Sequence, residues 1–440
     1  MAGGIFVDGE NKVRPGLYIN FQAAALARIE LAERGTTIIP MVLDWGIKGE
    51  FIVVESLDYI KQNFSLDISH ASLLYLNEAF KRAKTVLVYC LNAGTKATKT
   101  FGATAVCTVT AQKAGTRGNS INIVVTTNPV IGTKKDVKTY LDFILVDSQT
   151  VATIQELKAN DYVTFSGTGT VEVTAGSQLV GGTTTAVING DYTDFLNAAE
   201  TQNFDTIALP TDDATLKTTF TGWVKRLRDD EGKKLVGVTN NNPSDYEGVI
   251  NVTCGVKLSS GQTLTAKDSV AWVAGASAAC AANKSLTYSV YEGAIDAVPR
   301  LKHSEFKQAL QSGEFVFQFD GERVKVEQDI NSLVTYDQTK NQLFSKNRVI
   351  RVLDAINNDL LNQFSSSYVG KIDNNEEGQN LLISAVDGYM LTLQKANMIK
   401  NYVPGQDFEI IKGEGDSVWA RIGVQPVDSM EKFYFTVKVA

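Results

Sequence analysis

The sequence predicts a multidomain chain of mixed class. A central α/β domain is interrupted by a β-rich insert and followed by a C-terminal α+β domain with exchanged terminal strands. Three observations predict it. Helix and strand patterns alternate over 36–90 and again over 192–300, but the residues between are rich in Thr, Gly and Val and offer only short strands. Long helical patterns return after 346. Strand patterning also runs to both ends of the chain. Phe433, Phe435, Val437 and Val439 alternate with Tyr434, Thr436, Lys438 and Ala440, and after Pro15-Gly16 Leu17, Ile19 and Phe21 alternate with Tyr18, Asn20 and Gln22. Terminal strands expose backbone edges that must be paired, covered or shared. Sharing between chains is the reading adopted.

At 440 residues the chain is long for one core, and roughly 150 residues per domain gives about three domains. The expected divisions are an extended arm over 1–34, an α/β domain over 35–94 and 191–300, and a β insert over 95–190. A C-terminal α+β domain over 301–425 and an arm strand over 426–440 complete the chain. With 44 % hydrophobic and 21 % charged residues it should be globular.

The elements follow in order. A strand over 36–43 ends at Asp44-Trp45-Gly46. A helix over 56–64 starts at Ser56, a plausible N-cap, and places Leu57, Ile60 and Phe64 on one face. A second helix spans 70–83, and the continuous apolar run 85–90 reads as a strand buried on both faces. Within the insert the strands are 121–126, 140–146, 162–165 and 170–174, with helix signal only at 153–159. Alternation resumes with helices at 192–200, 213–228 and 267–282 and strands at 206–209, 235–239 and 249–256. A short helix stops at Gly313. Strands 315–319 and 323–327 flank Asp320-Gly321, a hairpin turn. The helix over 346–364 repeats Val349, Val352, Leu353, Ile356 and Leu360 at i, i+3, i+4, i+7 spacing, and another helix covers 376–397. Strands 418–424 and 433–439 close the chain. They can pair with each other through the loop 426–432, be shared with neighbours, or both.

Composition excludes several functions. The net charge is −7 without a Lys/Arg stripe, which argues against nucleic acid as partner. Cys90, Cys107, Cys254 and Cys280 have no metal-binding or redox spacing and read as reduced core residues. No apolar run is long enough to cross a membrane. The first residues lack a basic n-region and an h-region, so no signal peptide is expected and synthesis is placed in a bacterial cytoplasm. There is no G-x-S-x-G elbow, no phosphate-binding glycine loop and no H-E-x-x-H. No cofactor is therefore expected. His70 and His303 sit at helix starts and read as surface or capping residues. Asp212 and Asp213 follow a strand, where α/β active sites gather, but one of them serves more simply as the cap of the next helix. Lys346, Arg348 and Arg351 crowd a helix N-terminus, where each opposes the dipole by about 0.3–1 kcal/mol. They form either a solvated face or a positive patch for an acidic partner.

Five stretches, taken together and in order along the whole chain, resemble the tail sheath proteins of contractile phages and phage-tail-like particles. They are Lys12-Val-Arg-Pro-Gly-Leu-Tyr-Ile-Asn-Phe21, Leu43-Asp-Trp-Gly46, Ala114-Gly-Thr-Arg-Gly-Asn119, Glu327-Gln-Asp-Ile-Asn-Ser-Leu333 and Gln425-Pro-Val-Asp-Ser-Met-Glu-Lys432. The resemblance implies a non-enzymatic subunit stacked as six-fold rings around an inner tube, with baseplate and tail-terminator proteins as further partners. It implies release in a virion tail or tail-like particle. It also implies that the arms carrying Leu17, Tyr18, Ile19, Asn20 and Phe21 and Phe433, Phe435, Val437 and Val439 complete a neighbour's sheet near Trp419 and Ile422. Lys346, Arg348 and Arg351 become candidates for facing the tube. The alternatives are a β-decorated surface or adhesion protein, against which the expected lack of a signal sequence counts, and an α/β enzyme using Asp212 and Asp213.

Overall fold

The computed structural model describes residues 2–4, 16–18 and 33–439. These form two compact units. The larger comprises 34–350 and 431–439; the smaller comprises 351–430 and the backbone at 2–4 and 16–18.

The larger unit is built on a seven-stranded sheet in the order Glu314–Phe315, Val249–Val252, Val236–Asn240, Thr206–Leu209, Thr36–Met41, Thr85–Cys90, Phe51–Val54. All neighbours are parallel except the last pair. Its central strands are buried along nearly their whole length, which is why they read as largely apolar runs. One face packs on helices Leu74–Phe80 and Ala266–Ala279 through Leu76, Ala79, Val238, Ile250 and Trp272. The other packs on helices Asn189–Ala199 and Ala214–Lys225 through Phe195, Phe220, Val224 and Ile207. Thr206 ties the sheet to its helix: its buried hydroxyl lies 2.8 Å from that of Thr37 and donates to the Ala274 carbonyl at 2.9 Å.

Helix Ala266–Ala279 is almost wholly buried and built largely from Ala, Ser and Gly. Small residues let it approach its neighbour closely. A Cβ on Gly275 would lie 2.3 Å from the Ala79 carbonyl oxygen.

The helix expected over 70–83 is split. His70 accepts from the Ser72 amide and starts a 3-10 turn at Ala71–Leu73, and the α-helix covers only Leu74–Phe80.

Residues 301–350 cluster with this larger unit. Glu314–Phe315 is an edge strand of the main sheet, and Phe317 packs edge-on against Tyr291, itself stacked on Trp272 at 4.3 Å. The division between the two units falls between residues 350 and 351.

The Thr/Gly/Val-rich segment folds as two sheets around a common core. One runs Ile144–Val151, Lys135–Leu141, Ile121–Thr127, Thr174–Gln178; the other Val163–Gly167, Cys107–Ala111, Thr98–Phe101. Buried and half-exposed residues alternate along Cys107–Ala111, so Val109 meets Ile123, Val137 and Val163 in one cluster. The strand expected over 140–146 is instead a hairpin: Asp142 and Phe143 take φ of 48° and 66° and turn the chain. The strand expected over 170–174 begins at Thr174, and the helix expected at 153–159 is a 3-10 turn, Ile154–Glu156.

In the smaller unit, the helix Asn347–Ser367, from Arg351 onward, and the helix Glu376–Lys395 support an antiparallel hairpin of Phe408–Glu414 and Ser417–Ile422. The Tyr389 hydroxyl donates to Asp359 at 2.6 Å and links the helices. Asn375 caps the second helix by accepting from the Gly378 amide at 2.9 Å. Near the N-terminus, Ala2–Gly4 pairs in parallel with Gly16–Tyr18.

Two tests follow from this packing. Gly275→Ala should destabilise the chain by about 1–3 kcal/mol, as overpacking does, seen as a lower guanidinium midpoint; an unchanged midpoint would contradict the close approach. Burial pushes the thiols of Cys90, Cys107 and Cys254 up to about 11, which leaves about a thousandth ionised at pH 8. All four cysteines are buried, so a disulfide-exchange reagent at pH 8 should find no fast-reacting thiol before unfolding.

Candidate assembly site

The hairpin of the smaller unit is a two-stranded sheet, so each strand has an outer edge with no ladder partner among the described residues. Such a sheet is marginal alone. Its alternation sorts the side chains. Val418, Ala420 and Ile422 line an apolar groove of about 380 Å³ with Phe364, Leu382 and Val386 of the two helices. Trp419, on the other face of the same strand, is 65 % exposed. Sequence reasoning placed the strand over 418–424 but missed its partner, Phe408–Glu414. The available signal was the turn Gly415-Asp416 between two runs of strand-forming residues.

Residues 431–439 make no ladder among the described residues. Phe433, Tyr434, Phe435, Val437 and Val439 are 63–92 % exposed. Phe433 and Phe435 lie on one side with parallel rings 6.3 Å apart, as period-2 extended backbone requires. The hairpin of 418–424 with 433–439 that the sequence permits is therefore absent among the described residues, and the first of these strands pairs with Phe408–Glu414 instead. Of the N-terminal arm residues, Leu17 and Tyr18 fall in the described strand; Ile19, Asn20 and Phe21 lie outside the described residues.

The arm has a fixed root. Glu431 accepts from the Thr287 hydroxyl at 2.7 Å and from Gln328 Nε2 at 2.6 Å, and forms an ion pair with Lys346. Burial pushes the Glu431 carboxyl up, but the hydrogen bonds from Lys346, Gln328 and Thr287 outweigh it and hold the group below the usual glutamate range. Nothing in the sequence pattern flagged Glu431.

The cationic patch needs correction. Arg351 is 1 % exposed and Lys346 is engaged by Glu431, so these two are not a solvated face. Helix periodicity places Arg351 with Val352 and Asp354 among buried residues, which a count of cations could not reveal. Charge reversal at Arg351 would disrupt the fold before it probed a surface.

Asp212 and Asp213 line or flank a crevice at the carboxyl ends of Thr36–Met41 and Thr206–Leu209, where strand order reverses. Asp213 caps Ala214–Lys225 by accepting from the Leu216 amide at 2.8 Å. Asp212 accepts from Lys267 at 2.7 Å and from Asn240 at 3.1 Å, and the Lys267 hydrogen bond keeps its carboxyl below the usual range. The start of helix Ala266–Ala279, also at the crevice, is filled by its own Asp268, which accepts from the Thr265 amide at 2.9 Å. At these two helix starts an internal carboxylate meets the helix dipole.

Four family descriptions cover the chain almost continuously. Residues 34–91 match the tail sheath protein Gp18 domain III N-terminal region, 92–185 the phage tail sheath protein beta-sandwich domain, 185–332 the phage tail sheath protein central domain, and 339–440 the phage tail sheath C-terminal domain. The phage-like element PBSX protein XkdK of Bacillus subtilis (strain 168) is 43 % identical over all of both chains. The chain belongs to the phage tail sheath family. The sheath tail protein of Desulfitobacterium hafniense superposes with a TM-score of 0.85 at 46 % identity, covering 94 % of this chain and 98 % of that one. The contracted helical sheath of the anti-feeding prophage shares the fold at a TM-score of 0.60 and 12 % identity, over 98 % and 99 % of the two chains. The protein is a structural sheath subunit of the contractile tail type, and no described helix is long and apolar enough to cross a membrane.

The stretches that carried the sheath resemblance have structural work. Leu43–Gly46 and Ala114–Asn119 clasp each other: Gly46 and Ala114 exchange backbone hydrogen bonds at 3.1 and 3.2 Å, and Arg117 donates its amide to Asp44 at 3.0 Å. Gly115 (φ 127°) cannot carry a side chain there, since a Cβ would lie 1.9 Å from the Asp44 oxygen. The clasp joins the β insert to the main sheet.

Substituting the two aspartates separates cap from surface. Asp213→Ala should cost about 1 kcal/mol, a lost N-cap. Asp212→Asn, which keeps an acceptor for Asn240 and removes only the exposed ion pair to Lys267, should cost no more than about 0.5 kcal/mol. Urea unfolding reads both, and the reverse order would contradict the assignment.

Proposed function

We propose that this sheath subunit polymerises as six-fold rings stacked helically around an inner tube, each subunit lending its terminal strands to neighbours. The observation that carries the reading is the pairing of opposites: an extended arm, 433–439, exposed at every residue, and a hairpin, Phe408–Glu414 with Ser417–Ile422, whose outer edges have no ladder partner among the described residues and lie beside an apolar groove. Addition of a strand to an open edge is a general mode of recognition. Each backbone hydrogen bond formed contributes about 0.5–1.5 kcal/mol, and each large apolar side chain moved out of water about 1.5–3 kcal/mol. The Gly16–Tyr18 arm is the second donor. Two donated strands per subunit make a mesh that stays connected while domains rotate.

Contraction then needs no chemical fuel. An extended lattice that buries less interface passes to a shorter one that buries more, and the strand links keep register during the passage. The inner tube is the core around which rings stack; the baseplate starts the stack and a terminator ends it. The assembled product is a virion tail or a released tail-like particle.

Removal of residues 433–440 tests the reading. The truncated protein should fold with an unchanged melting temperature and yield no striated cylinders in negative-stain images, whereas the full chain yields them. Cylinders of normal length from the truncated protein would overturn strand lending by the C-terminal arm.

A further inference from the structure

We infer that Glu431 is the positioning residue of the C-terminal arm, a latch that fixes where and in which direction residues 433–439 leave the subunit. The inference rests on the strand-lending reading above and adds a device that the reading does not require.

Exposure along the chain marks the latch. Met430 is 85 % exposed and Phe433 63 %, while the Glu431 side chain between them is 10 % exposed. The carboxylate enters a socket made from three separate segments. Thr287 and Gln328 donate to its two oxygens at 2.7 and 2.6 Å, and Lys346 forms the ion pair. Three donors on one carboxylate fix orientation as well as position, because each oxygen is directed.

The socket is itself held from behind. Asp329, 1 % exposed, donates its amide to the Thr287 hydroxyl at 3.0 Å and accepts from the Leu286 amide at 2.9 Å and from Asn347 Nδ2 at 2.9 Å. The Asn331 amide donates to the Ser345 carbonyl at 3.0 Å. So 327–333 clamps the segments bearing Thr287 and Lys346 at a fixed spacing, ready for a carboxylate. Two of the stretches that carried the sheath resemblance, Glu327–Leu333 and Gln425–Lys432, meet in this one interaction between Gln328 and Glu431.

Such a latch accounts for an arm that is extended yet unpaired. A tether free to swing samples many directions and must be ordered at each docking event; fixing its root shortens the search and raises the effective concentration at the acceptor edge. The latch holds no residue of the exchanged strand, so it can stay closed while the arm docks.

The test compares four full-length or truncated chains by the critical concentration for polymerisation, read by sedimentation, together with melting temperature. Glu431→Ala should raise the critical concentration about tenfold or more, equivalent to ~1.4 kcal/mol of lost preorganisation. The exchange of charges, Glu431→Lys with Lys346→Glu, should recover most of that loss, and removal of 433–440 should abolish polymerisation. If removal abolishes assembly while Glu431→Ala polymerises as the unaltered chain does, the latch is wrong and strand lending stands. If removal leaves assembly intact, strand lending itself fails. Should Glu431→Ala lower the melting temperature, the charge exchange decides: recovery of stability without recovery of assembly would overturn the latch.

Discussion

A backbone laid out as a strand presents an N–H and a C=O at nearly every residue, and those groups find partners in another strand or in water. In this subunit the last described residues have no strand partner among the described residues, and their large apolar side chains stand exposed. On the strand-lending proposal, the rest of the structure is the support for an unfinished sheet. A rigid α/β body anchors one end of the arm, and a separate helical unit carries an incomplete hairpin with its edges open. Neither part is finished by its own chain among the described residues.

The rigidity of the body comes from burial on both faces of a parallel sheet and from small residues that let helix and helix meet backbone to backbone. At Gly275 the backbone lies so near Ala79 that a Cβ would fall 2.3 Å from the Ala79 carbonyl oxygen. The same economy holds at the β insert, where Gly115 lies on the Asp44 carbonyl and allows the Arg117 segment to clasp the end of a sheet strand. Polar groups are deployed where segments distant in sequence must keep register. Thr206 with Ala274, Tyr389 with Asp359, and Asp329 with Leu286 and Asn347 each join elements that apolar contact alone would let slide.

Much of the main sheet was legible because its signal is local: Thr85–Cys90 and Thr206–Leu209 are unbroken apolar runs, and the amphipathic stripe from Val349 to Ile356 defines a long helix. What could not be read depends on contacts across the chain. Phe317 looks like part of a hairpin in a new domain until Tyr291 and Trp272 are placed beside it. Asp142-Phe143 gave no turn signal, since Phe in a left-handed conformation is uncommon and sequence patterns favour Asn-Gly or Asp-Gly there. The exposed arm was visible in its alternation, but its root was not: a glutamate in a polar stretch looks solvated until Thr287, Gln328 and Lys346 converge on it. Arg351 failed in the opposite sense, as a cation taken for surface that lies in the interior.

Amide hydrogen exchange across residues 408–439, compared between dissociated subunits and assembled polymer, bears most directly on the unfinished sheet. In dissociated subunits, 433–439 should exchange at the rate of an unstructured peptide, and in the polymer both this segment and one outer edge of the Phe408–Ile422 hairpin should become protected together. Equal exchange of 433–439 in the two states would contradict the claim that neighbouring subunits complete this sheet.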